Sequence, residues 1–465
     1  SLGASETSSF ALRVTQGGTF DGGSGAHTIG SIEVVNSAAA KMDFTSGDTT
    51  LSSERTSSNR NIVTNVNSTV THSDGTIIMT FAGNTEISWE STTSGNEGPY
   101  NFTVNHASAI QRSRRSPFRV LNNLTITAGE YNTLSGDSGG DLDLTVTGDC
   151  IVGDGAGSAD TSILTGNASA ISLGSLVINS DGKYNATSGT TTITSEGDGS
   201  GGSSNGFALD KHASGTFAHN SGTVTVTTNT NTVFRGFEGT VTSGSGANAL
   251  NNLIVNLTGS ATYYVRLRSN SGTAHTILGD LTVTQGKLEK ETNDHTLTIN
   301  GNVSVGANGT LGHADKTGND SFGSLTIASG GTAIATSGTT TLTKDDTGQF
   351  IYETISGATF THNSGTLTIT GDGRVKPRAG TGNFNNVILN SSGNTIEQGA
   401  DTTIDNDLTI TAGEWSTGYS GFGNSNLTVT GDASVTGTLT GNTSLVSLGS
   451  LTINSGGTYN ATSGT

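Results

Sequence analysis

Three observations predict an all-β fold, a parallel β-solenoid (β-helix) built from ~20-residue coils grouped in a long super-repeat. First, the opening phrase Gly-Ser-Leu/Ile recurs at Gly30-Ser31-Ile32, Gly174-Ser175-Leu176, Gly323-Ser324-Leu325 and Gly449-Ser450-Leu451. The starts lie 174 − 30 = 144, 323 − 174 = 149 and 449 − 323 = 126 residues apart. Second, short runs such as Leu124-Thr125-Ile126-Thr127 alternate apolar and hydroxyl side chains, the period of a strand with one face inward. Third, Gly, Asn, Asp and Ser cluster between these runs and supply turns, and no segment carries a helical apolar period.

Each copy has sub-segments in a fixed order. The Gly-Ser-Leu strand comes first. Thr187 to Ile193 is second, matched by Thr45 to Leu51 and Thr336 to Leu342. A His-x-x-Gly-Thr strand is third, at His72 to Thr76, His219 to Thr223 and His362 to Thr366. Asn252 to Asn256 is fourth, matched by Asn101 to Asn105 and Asn386 to Asn390. Leu124 to Glu130 is fifth, matched by Leu281 to Lys287 and Leu408 to Glu414. Leu144 to Asp149 is sixth, matched by Leu427 to Asp432. The chain therefore reads as the end of one copy (1–29), three copies (30–173, 174–322 and 323–448) and the start of another (449–465). Neither end reads as a polar cap, so the expectation is a window on a longer polypeptide or a subunit that stacks end to end. A string of immunoglobulin-like sandwiches is the competing architecture. One Cys and two Trp cannot supply the Cys…Trp…Cys frame of that family three times.

Composition narrows the function. The 465 residues include 68 Gly and 3 Pro, and 12% are charged, against about 25% in an ordinary soluble domain. The net charge of −18 argues against nucleic acid as a partner, because an acidic surface repels phosphate. Cys150, the single cysteine, rules out an internal disulfide framework. No apolar run approaches the ~20 residues of a membrane span, so no membrane insertion is expected.

The sharpest local anomaly is basic. Gln111 to Arg119 carries Arg112, Arg114, Arg115 and Arg119 in an acidic chain, and the same interval of the next copy holds Arg266 and Arg268 on one strand face. The third copy has Glu397 there. These six arginines are the candidate sites for an anion or acidic glycan, which the planar guanidinium fork suits. The competing reading pairs them with the protein's own carboxylates. His72, His219 and His362 hold one slot in successive copies, too far apart to share a metal, and read as turn or outer-face residues. Asp141/Asp143, Asp345/Asp346 and Asp405/Asp407 are the paired carboxylates that acid–base chemistry or Ca²⁺ binding would use. The tandem nonapeptides of calcium-binding β-rolls are missing, so no cofactor is expected beyond incidental Ca²⁺. Tyr131, Leu288 and Trp415 share a slot after Gly-x, which favours inward packing over sugar stacking. Pairs such as Thr282/Thr284 invite an ice-binding reading, but Asn, Gly and charge break the array.

Asp280-Leu281-Thr282-Val283-Thr284, Phe217 to Val224 and Ser324 to Gly331 are similar to phrases in very long β-strand-repeat surface proteins of bacteria and in fibre-like proteins of marine bacteriophages. That resemblance implies an extracellular, cell-surface or virion-attached solenoid and carries no catalytic motif. The expected function is therefore a non-enzymatic segment of a fibre or filament, a rigid spacer or adhesion rod. Its expected partners are further copies of itself and, at the arginines, cell-surface glycan. The alternative is a polysaccharide-binding or polysaccharide-degrading β-helix protein.

Overall fold

The computed structural model describes residues 6–7, 11–53, 60–90, 97–135, 137, 139–156, 162–196, 206–237, 248–268, 274–291, 295–312, 315–419, 421 and 423–463. The chain is all-β, and the described residues contain no helix. Two compact units divide it: Ser1–Thr228 with Thr232–Gly236 and Ser245–Asn248, and Asn229–Asn231 with Phe237–Gly244 and Ala249–Thr465.

Within each unit the strands of the main sheet pair in parallel, each with a strand further along the chain, while the short strands Gly418–Tyr419 and Gly423–Asn424 form an antiparallel pair. In the first unit Phe102, Leu124, Cys150, Leu176 and Leu209 succeed one another as ladder partners. All five are buried. In the second unit the column Ile299, Phe322, Leu342, Ile369, Leu389, Ile410, Val435 and Ile453 runs through eight strands. Its first seven members are 0–3% exposed. Each fully buried aliphatic side chain of this kind contributes roughly 1.5–3 kcal/mol. Alternation decides which residues enter the columns, and Leu124–Asn132 opens with buried Leu124 and Ile126 around half-buried Thr125. Ladder partners in the first column lie 22 (124 − 102) to 33 (209 − 176) residues apart, wider than the ~20 expected. The extra residues lie in the excursions between strands.

The fifth sub-segment holds a corner. Gly129, Gly286 and Gly413 occupy the same place in it and have φ of +90°, +83° and +87°. A Cβ on Gly129 would sit 2.4 Å from the His106 carbonyl oxygen, and one on Gly413 would sit 2.2 Å from that of Ser391. Only glycine meets both demands. The ladder register shifts beside each of them, so one long strand serves two flat faces.

Turn side chains link successive strands by a rule that the repeat writes three times. In the first unit Asn101 Oδ1 accepts the Asn123 N–H (3.2 Å), and Asn123 Oδ1 accepts the Asp149 N–H (2.8 Å). Ser175 Oγ then donates to Asp149 Oδ1 (2.6 Å). In the second unit Asn252 accepts from Asp280 (2.9 Å), Asp280 from Asn302 (2.7 Å), and Ser324 donates to Asn302 (2.8 Å). The series Asn386, Asp407, Asp432 and Ser450 repeats it at 3.3, 2.8 and 2.6 Å. Each bond satisfies a backbone donor or hydroxyl that the turn takes out of the strand ladder. The serine of every Gly-Ser-Leu phrase is thus the end of a polar column.

Candidate functional site

The arginine cluster of the first unit is built at the end of strand Asn101–Ser113. Glu86 and Arg112 are ladder partners, and Arg60 faces Glu86 from the strand before, so the signs alternate +, −, + across three strands. Arg114 turns inward and is 8% exposed. Its guanidinium meets Glu86 at 3.1 Å and Asp137 at 3.1 Å. Its own carbonyl accepts the Ser135 hydroxyl. Arg115 reaches the other oxygen of Asp137 at 2.8 Å. Hydrogen bonds from Arg115 and Arg114 hold the Asp137 carboxyl below its usual range. Burial, together with the charge of Arg114, lowers Arg60. Arg119 lies 3.6 Å from Glu97. Only Arg115 and Arg119 of this group leave about half the side chain in solvent, 56% and 47%.

Strand Tyr264–Arg268 carries the second pair, with buried Val265 and Leu267 alternating with half-buried Arg266 and Arg268. Arg266 faces its ladder partner Glu289 at 2.9 Å and lies over the Tyr264 ring, 4.3 Å from the centroid. Arg268 meets Glu291 at 3.2 Å. The same rule holds at Arg13 and Glu33 (3.0 Å), Arg374 and Glu397 (3.0 Å), and Lys376 and Glu353 (2.9 Å). Each of these is a ladder pair of adjacent strands. Arg235 and Asp210 are another. The arrangement gives parallel strands a charge register and pairs Arg114, Arg115, Arg119, Arg266 and Arg268 with internal carboxylates. Half-exposed pairs of this kind contribute about 0–1 kcal/mol each.

The other sequence candidates fall into structural places. His219 Nδ1 accepts the Ser221 N–H at 2.9 Å and His362 Nδ1 accepts that of Ser364 at 2.9 Å, closing turns in which Asn220, Ser221, Asn363 and Ser364 have positive φ. His72 stacks on Tyr100 instead, with centroids 5.3 Å apart. Asp143 accepts the Ala170 N–H, Asp405 accepts from Asn383, and Asp407 belongs to the turn column. The Asp346 side chain lies outside the described residues. Tyr131, Leu288 and Trp415 are 0–1% exposed. The Tyr131 hydroxyl pairs with Ser113 Oγ at 2.8 Å, and the Trp415 indole N–H donates to Gln398 at 3.1 Å. Cys150 is buried, and burial pushes its thiol well above the ordinary range.

One cluster lies outside every sequence expectation. In the second unit His275, Lys290, His295 and Asp320 are 1–3% exposed and packed together. Lys290 Nζ donates to Asp320 Oδ1 at 2.8 Å and to the His295 carbonyl at 2.9 Å. The Leu297 N–H donates to the same Asp320 oxygen at 3.1 Å. The two imidazoles meet edge to face with centroids 4.6 Å apart. Burial, with His295 next and Lys290 behind it, pushes His275 down to about 3, while the Phe237 backbone pulls the other way. Burial raises the Asp320 carboxyl against the pull of Lys290. The sequence does hold a signal: Lys290 shares the inward parity of Leu288 on strand Leu281–Lys290.

Among the described residues no three His, Cys, Asp or Glu side chains converge to hold a metal. No helix is long and apolar enough to cross a membrane. The space lined by Ala335, Thr340, Phe360 and His362 measures about 10 Å³, room for a single water. Comparison with protein-family models, with curated proteins and with solved structures finds no match.

Proposed function

We propose that each unit is a parallel β-solenoid and that the chain is a non-enzymatic structural segment of an extracellular or virion-attached fibre. The observation that carries this reading is the use of the side chains. Apolar residues form unbroken columns, turn carboxylates and amides cap the next strand, and charged residues pair across the ladder. A surface assembled this way supports length and rigidity, with every strand the template for the next. Electron microscopy of the purified protein tests it. Thin rods of constant width are the expected result, and separate globular beads overturn it.

A second reading rests on Arg115 and Arg119, whose guanidinium groups reach solvent beside an acidic surface. They would contact an acidic glycan at the edge of the rod. A glycan array gives hits for the wild type and loses them in Arg115→Gln/Arg119→Gln if the segment is adhesive. No hits, with adhesion unchanged in the variant, leaves a plain spacer. Turnover of an acidic polysaccharide that disappears in Asp141→Asn or Asp143→Asn overturns both readings in favour of an enzyme.

A further inference from the structure

The chain itself contains the control for its buried cluster. The ladder triplet His275, Leu297 and Asp320 occupies the place of Phe118, Leu144 and Ile171 in the first unit. Thr402, Leu427 and Val446 form the third version. Lys290 stands where the other copies have Thr133 and Thr417, and His295 where they have Leu142 and Ser425. Four ionisable residues therefore replace apolar or hydroxyl residues together, in one copy, at four adjoining places. An unrelated surface substitution would not bring an amine and a carboxyl to 2.8 Å inside the core.

We propose that Lys290 and Asp320 are the two halves of an intramolecular isopeptide cross-link, an amide joining Lys290 Nζ to Asp320 Cγ. The step needs no oxidant and no cofactor. One proton passes from the Lys290 ammonium to the Asp320 carboxylate along their hydrogen bond, leaving a neutral amine and a carboxylic acid. The Nζ lone pair attacks Cγ, and an N–C bond forms. The second Nζ proton goes to the departing hydroxyl, the C–O bond breaks, and one water leaves. A single proton remains on the amide nitrogen, so atoms and charge balance.

The surroundings favour each stage. A core this dry opposes separated charges, and neutral amine and acid are the reactive forms. Burial lowers His275 and raises Asp320, both in the direction of the neutral form. The His295 carbonyl steers Nζ, and the Leu297 N–H fixes Asp320 Oδ1, the oxygen that takes the proton and leaves as water, beside the amine. Fixed contact replaces a bimolecular encounter, which raises the effective concentration of the amine by many orders of magnitude. Lys376 and Glu353 make a comparable contact at 2.9 Å with 8% and 16% of their side chains exposed. There water stabilises the charged forms, and the pair remains an ion pair.

The test is intact-mass spectrometry of the denatured full chain, followed by peptide mapping. The expected result is a protein one water lighter than its sequence, with a branched peptide joining Lys290 to Asp320. Lys290→Arg keeps the charge and the ion pair, and is expected to fold and to run at full sequence mass. Because the wild type is read after denaturation, a variant that fails to fold does not cloud the answer. Full sequence mass in aged wild-type protein overturns the proposal. So does a water loss that maps to a succinimide at an Asp-Gly step such as Asp74-Gly75 or Asp181-Gly182.

Discussion

The Phe118, Leu144 and Ile171 column of the first unit and the His275, Leu297 and Asp320 column of the second have the same backbone and opposite chemistry. The first is filled by apolar contacts: Phe118 packs edge-on to Phe102 and stacks on Tyr131 at 5.6 Å. In the second, an ion pair and two imidazoles fill the same space with 1–3% exposure. Parallel pairing therefore does not depend on what fills this column. The backbone ladder and the flanking Leu297 hold the register, and the column interior is free to carry stability or chemistry.

The largest expected effect comes from breaking the polar column on one side. Measured against Lys290→Arg, which keeps the ion pair and cannot form the cross-link, Lys290→Ala leaves the Asp320 carboxyl buried without its cation and should cost about 3–5 kcal/mol in denaturant unfolding. The matched Thr133→Ala loses one hydroxyl bond from Asn167 and should cost about 1 kcal/mol. Equal losses at the two sites would erase the contrast.

Acid sharpens it further. Folding lowers the His275 imidazole from its ordinary 6.5 to about 3, through burial first and the neighbouring His295 next. Its neutral form is the one the fold accepts, so the stability it contributes is full above pH 6.5 and is lost as pH falls toward 3. That loss is on the order of 4 kcal/mol. In chains without the cross-link Asp320, raised on folding by burial, has the opposite sign, since its contribution is full below the ordinary carboxyl range and is lost as pH rises. His275→Phe keeps Asp320, Lys290 and His295, so the difference between variant and wild type isolates the imidazole. That difference should move in favour of the variant as the pH of thermal unfolding is lowered from 6.5 toward 3.

Converting the whole cluster asks whether the ionisable set is needed for folding at all. His275→Phe/Lys290→Thr/His295→Leu/Asp320→Ile installs the residues of the first copy. It should be neutral to about 4 kcal/mol more stable, as buried ion pairs replaced by fitted apolar groups generally are. A severe loss would mean that the two columns are not interchangeable. The smallest effect is expected outside the core. Arg266→Gln removes a guanidinium about one-third exposed from Glu289 and should cost no more than about 1 kcal/mol, less in high salt.

Much of the strand content was legible because alternation is local. Leu124, Ile126, Val146 and Leu176 announce inward positions without knowledge of any partner. The inward packing of Tyr131 and Trp415 was legible because Leu288 fills their slot in the middle copy. Partner identity was not. Arg266 meets Glu289 because their strands share a register, and excursions of unequal length hide that register from a linear reading. Pairing of the arginines with the protein's own carboxylates was one of the two readings the sequence left open, but not which carboxylates, such as Asp137 for Arg114 and Glu291 for Arg268. The cluster around Lys290 is hidden in the sequence because His275, Lys290, His295 and Asp320 lie in stretches between the recurring sub-segments, spread over 45 (320 − 275) residues.

The step from Leu176 to Leu209 is half as long again as that from Phe102 to Leu124, yet both deliver a leucine to the same column. Contour length between strands is thus nearly free, while phase within them is fixed. A foreign segment grafted between Ile193 and Phe207 would meet little thermodynamic resistance, since closing a longer excursion costs only about 0.6 kcal/mol per doubling. Evolution or an engineer can hang cargo on such a scaffold without retuning a single core side chain.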